Sequence, residues 1–143
     1  MNWKKEAVSD LRNYLYRKQS LENITEKIKA LRYELEGVKA VKIDPTPGGG
    51  NHMEDKRVNT ICEIERLKLA YQATKKLVDI IERSLDLLSE QERIVLQLFY
   101  IERPRNYIEE LSKQLNMEQA NIYRVKDTAL NKFTVLMYGI MDY

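Results

Sequence analysis

At 143 residues the chain has room for one ordinary domain, or for a small module plus an elongated helical arm. Helix-forming residues dominate it, and five glycines with three prolines are too few for the turns of an all-β design, so an all-α fold is expected. A formal net charge of +2 is nearly neutral, and its distribution says more: residues 1–42 carry ten basic and six acidic side chains, residues 43–60 two and three, residues 61–88 five and five, and residues 89–143 seven and eight.

The opening residues, Met1-Asn-Trp-Lys-Lys-Glu, put no apolar stretch behind their charges, so no signal peptide is expected. Residues from about Trp3 to Val41 read as helix. Within it Leu21, Ile24, Ile28, Leu31, Leu35 and Val38 follow the three-then-four spacing of a coiled-coil seam. Upstream, Val8, Leu11 and Leu15 form a similar stripe displaced by one position, so the seam either bends near Lys18 or faces a different partner there. Ile43 to His52, with two prolines and three consecutive glycines, is read as a flexible linker over 43–52.

Helical pattern resumes near Met53, and from Ile64 a second seam reads Ile64, Leu67, Tyr71, Thr74, Val78, Ile81, Leu85 and Leu88. A second stripe, Leu77, Ile80 and Leu87, predicts burial on a wide face. Two arms of similar length around one turn fold most economically as a long antiparallel helical hairpin, coiled-coil-like, over residues 1–88; a coiled coil between two chains satisfies the same pattern. A lone cysteine, Cys62, excludes an internal disulfide and fits a reducing compartment, with the cytoplasm as the expected location. The longest apolar runs, such as Ile94 to Ile101, are too short to span a bilayer, so no membrane partner is expected.

After Leu88 the elements shorten, and residues 89–143 read as a separate helix-turn-helix domain. Ser89-Glu-Gln-Glu92 is a capping box for a helix running to about Tyr100, which stops before Arg103-Pro104. Asn106 to Glu109 repeats that logic and opens a short helix to Leu115. Asn116 suits the left-handed conformation that ends a helix, and a last helix runs from near Gln119 to about Met141.

A helix-turn-helix constrains residue types at fixed offsets. Counting from Ile108, the fourth position is apolar (Leu111), the fifth small (Ser112), the eighth apolar (Leu115) and the ninth tolerant of positive φ (Asn116). The tenth, fifteenth and eighteenth are apolar: Met117, Ile122 and Val125. In chemical terms Arg124 can grip a guanine edge with two bonds, and Gln119 or Asn121 an adenine. Tyr123, Lys113 and Lys132 suit phosphates, and Tyr107 can touch the DNA backbone at the start of its helix.

The runs Leu88-Ser-Glu-Gln-Glu-Arg-Ile-Val-Leu-Gln-Leu-Phe-Tyr, Tyr107-Ile-Glu-Glu-Leu-Ser-Lys-Gln-Leu-Asn-Met and Ile122-Tyr-Arg-Val-Lys-Asp-Thr-Ala-Leu-Asn-Lys-Phe resemble the last domain of bacterial RNA polymerase sigma factors. Joined to a helical arm and a Pro/Gly linker, the chain looks like the ArpU/RinA-type regulators of phage and prophage late genes. The resemblance implies sequence-specific binding of double-stranded DNA and transcriptional control. It places the DNA contacts on Gln119, Ala120, Asn121, Tyr123, Arg124 and Lys126. Glu118 stands where sigma factors put Thr or Ser, and Gln119, Asn121 and Tyr123 replace their arginines. Few cations mean modest single-copy affinity, for which a homodimer or contact with host RNA polymerase is the natural remedy.

Catalysis finds no footing. The single histidine, His52, lies in the linker, one Cys and one His cannot make a zinc site, and Gly48-Gly49-Gly50 lacks the Lys-Ser/Thr of a phosphate loop. No enzyme activity and no cofactor are expected. Two other classes stay open beside a regulator: a small terminase subunit, which also joins a helix-turn-helix to an oligomerising hairpin, and a helical protein-interaction adaptor.

Overall fold

The structure, a computed structural model, describes residues 2–40 and 50–140. They are helical almost throughout, with no strand among the described residues, so the chain is all-α. In order, the helices are α1 (Trp3–Ala40), α2 (Gly50–Asp86), α3 (Glu90–Leu96), α4 (Tyr107–Leu115) and α5 (Gln119–Tyr138). A π-helical turn, Gln97–Ile101, continues α3. Of the expected linker, residues 43–49 lie outside the described residues, as do the ends assigned to Val41 and Met141. Gly50, Asn51 and His52 belong to the first turn of α2 rather than to the linker. The first turn asks little of its residues, because its amides need no acceptor within the helix.

Residues 18–76 form one compact unit, and residues 1–17 with 77–143 form another, a division different from the boundary at 88/89 read from the sequence. In the first unit the α1 and α2 segments pack antiparallel. Thr25 and Ile28 share a groove with Tyr71 and Gln72, and Arg32 lies by Lys68. Ile64 and Leu67 are buried there, while Leu21, Ile24, Ile28, Leu31 and Leu35 are half-buried. This is the hairpin that the two seams predict.

The second unit has two cores. The first gathers Ala7 and Leu11 of α1, Ile81 and Leu85 of α2, Leu88, Leu96 of α3, and Ala129, Leu130 and Phe133 of α5. The displaced stripe upstream of Lys18 therefore has its own partner: Leu11 is 0% exposed against the C-terminal helices, although Leu15 is exposed. Asp10 fastens the same region, accepting from Arg17 Nη1 at 3.1 Å and from the Tyr138 hydroxyl at the end of α5, whose ring lies 5.0 Å from that of Trp3. The second stripe of α2 is not buried as expected: Leu77 is half-buried, but Ile80 and Leu87 are exposed. Burial is confined to the side carrying Val78, Ile81, Leu85 and Leu88.

The second core gathers Val95, Leu98, Phe99, Leu111 and Ile122. Tyr100 packs against both cores, so α3 and its π turn form the wall between them. The capping box stands as expected, with the Glu92 amide donating to Ser89 Oγ at 3.2 Å and the Ser89 amide donating to Glu92 Oε1 at 3.1 Å. The helix expected to continue to Tyr100 gives way after Leu96 to the π turn, closed by the Glu102 amide on the Gln97 carbonyl at 2.8 Å. The added residue per turn lets successive residues serve different cores, Leu96 the first and Leu98 and Phe99 the second. The cap expected at Asn106 does not form. Its φ of −104° and ψ of 35° are not the extended geometry that turns a cap side chain back on the helix amides.

Candidate functional site

The site expected from the sequence is the α4–turn–α5 pair, and its construction follows the offsets residue by residue. Asn116 ends α4 at φ 52° and ψ 49°, in the left-handed region. Leu111 and Ile122 are 0% exposed, and Ile108, Leu115, Met117 and Val125 pack against them. Ser112 is half-buried. Every apolar position that the pattern demands thus enters one core, closed from behind by Val95, Leu98 and Phe99. Glu118 offers no side-chain cap; its carbonyl accepts from the Asn121 and Ile122 amides at 3.0 and 3.1 Å.

Burying Ile122 turns its neighbours outward. Gln119, Ala120, Asn121 and Arg124 are exposed, and Tyr123 is 38% exposed. Lys113 is exposed on α4. Neither Arg124 nor Lys113 pairs with a carboxylate, so their charge is available to a ligand.

Three other expected contact residues are placed differently. Lys126 is half-buried, its Nζ 2.8 Å from Asp127 Oδ1 and near the Phe99 and Tyr123 rings at 5.7 and 5.9 Å. Burial works against its charge, but Asp127 and the two tyrosines Tyr100 and Tyr123 outweigh that and hold its pKa above the ordinary lysine value. Lys132 pairs with Glu92 Oε2 at 3.0 Å and so serves the capping box of α3. Tyr107 is half-buried, its ring edge-on to Phe99 at 5.1 Å.

What surrounds Tyr107 lies outside the contacts expected from the sequence. Phe99 lies at the centre of an aromatic group, 5.9 Å from Tyr100, 5.1 Å from Tyr107 and 5.7 Å from Tyr123. Cations sit on its outer rings: Arg103 over Tyr107 at 5.6 Å and Arg12 of α1 over Tyr100 at 6.0 Å. Arg103 has a φ of 38°, unusual for a non-glycine residue and more so before a proline. In the sequence Arg103-Pro104 reads only as a helix stop. Two arginines flanking a proline between helices were the available signal.

No protein-family model, no curated protein and no solved structure matches the chain. Among the described residues no helix is long and apolar enough to cross a membrane, and no group of His, Cys, Asp and Glu is placed to hold a metal ion.

Proposed function

We propose that the chain binds double-stranded DNA sequence-specifically through α4 and α5 acting as a helix-turn-helix, as a sigma-like transcriptional regulator of the ArpU/RinA type, and that it is not an enzyme. One observation carries the reading: Ile122 is fully buried while Gln119, Ala120, Asn121, Tyr123 and Arg124 around it are exposed. An α5 held in that way can enter a major groove with its first two turns. In this role Arg124, Gln119 and Asn121 meet base edges, and Tyr123, Lys113 and Tyr107 meet the backbone. A homodimer would cover the apolar groove lined by Leu87, Leu88, Val135 and Leu136, where Asn131 carries a buried Oδ1 without a hydrogen-bond partner. Host RNA polymerase is the other candidate partner.

The test is selection of bound sequences from a random duplex pool, with the mass in solution measured on the same sample. A recovered consensus and a monomer or dimer support a regulator. The exposed Val58, Ile61 and Leu69 on the arm favour a second reading, an oligomeric DNA-packaging subunit, and a ring of roughly eight or more chains would select it. Absence of any duplex binding at low salt would leave a protein-interaction adaptor.

A further inference from the structure

The recognition turns are poorly supplied with usable charge. Lys126 is matched by Asp127 and Lys132 by Glu92, which leaves Arg124 as the one α5 cation without a carboxylate among the described residues. DNA affinity depends on phosphate neutralisation, so the grip has to come from outside the helix that reads bases.

We infer that the loop between the π turn and α4, through Arg103 and Arg105 and together with Arg12 of α1, forms a clamp for the phosphate backbone of duplex DNA beside the recognition turns; this rests on the DNA-binding reading above. All three arginines are exposed and none pairs with a carboxylate. Two are held by rings. Arg103 lies over Tyr107 and Arg12 over Tyr100, and both rings contact Phe99, which in turn contacts Tyr123 on α5. Each step in that path is 6.0 Å or less, so the loop and the recognition helix share one aromatic base. A guanidinium held over a ring by cation–π attraction keeps donors for phosphate, and its planar fork matches two phosphate oxygens. The left-handed backbone of Arg103 is strained for an L-residue. The Tyr107 amide on the Pro104 carbonyl at 3.2 Å and the ring contact over Tyr107 hold it in place.

The test is the salt dependence of affinity, measured by fluorescence anisotropy on a selected site and on a random-sequence duplex. Each lost phosphate contact lowers the slope of log K against log salt by about 0.9, so Arg103→Gln with Arg105→Gln should lower it by about 2 on both duplexes. Arg12→Gln should remove about one more unit, while replacing both loop arginines by lysine keeps most of the slope. Arg105→Gln alone touches neither the ring contact nor the left-handed residue, and its drop of about 1 serves if the double variant misfolds. A parent that binds DNA while its loop variants keep the parental slope overturns the clamp and spares the DNA-binding reading. Loss confined to the selected site also overturns it, since backbone contacts carry no sequence. A parent that binds no duplex overturns both.

Discussion

Arg124 and Ile122 are two positions apart on α5, and the helix turns them to different work. Arg124 is exposed with no carboxylate partner, so Arg124→Ala should cost about 1–3 kcal/mol of affinity for the selected site and leave thermal unfolding unchanged. Equal affinity in parent and variant would move the reading face elsewhere. Ile122→Asp puts a carboxylate into an apolar core at a fully buried position, and a cooperative melt should be lost. Glu92 makes a third case. Burial raises its pKa, but bonds from Lys132 and from the Ser89 amide and hydroxyl outweigh burial and hold it below the ordinary 4.5. A carboxylate depressed on folding stabilises above its unfolded value, and that contribution is lost as pH falls through the folded one. The melting temperature should therefore decline below pH 4.5, and Glu92→Gln should flatten the decline. A variant with the parental profile would free Lys132 from its structural role.

At the scale of elements, α4, its turn and α5 were the most legible part of the chain. A tight turn between packed helices restricts residue type position by position, so Leu111, Asn116 and Ile122 each answered a separate demand. Asn116→Val should cost about 1–2 kcal/mol, because a β-branched residue resists the left-handed region, whereas Asn116→Gly should be close to neutral. Denaturant melts of the two variants measure this directly. The π turn was not legible, because the sequence through Leu98 and Phe99 has the same apolar residues an ordinary helix would show. Its presence decides that Phe99 joins the second core and that Tyr100 meets both. The part that α1 adds beside the arginine loop stayed hidden for a related reason: Arg12 over the Tyr100 ring joins residues far apart in the chain, and no local spacing encodes it. The outer side of the second arm shows the opposite failure, since Ile80 and Leu87 continue its helical periodicity and are nonetheless exposed.

For the molecule as a whole, the seam of α2 continues through Leu88 and suggested one uninterrupted arm. The same heptad spacing serves two different partners. Ile64 and Leu67 lie in the arm unit, while Ile81 and Leu85 join Leu11, Leu96 and Phe133 in the unit that carries α5. Periodicity reports that a face is buried and says nothing about what buries it. Residues 89–143 alone would keep Leu96, Ala129, Leu130 and Phe133 but lose Ala7, Leu11, Ile81, Leu85 and Leu88 from the same core. A fragment of that range should expose this surface, bind a hydrophobic dye and unfold without a cooperative transition. In the full chain, Leu11→Ala should cost about 2–5 kcal/mol, the range for truncating a fully buried leucine. Tyr138→Phe should cost about 1–3 kcal/mol by taking a donor from Asp10, which is 7% exposed. Urea unfolding of both variants, followed on the tryptophan near Tyr138, gives the two values. A fragment 89–143 that melted cooperatively at the parental temperature would make the first turns of α1 dispensable. Loss of cooperativity would instead mean that α5 is held by residues before Ser89, with Ala7 and Leu11 of α1 and Ile81 and Leu85 of α2 among them.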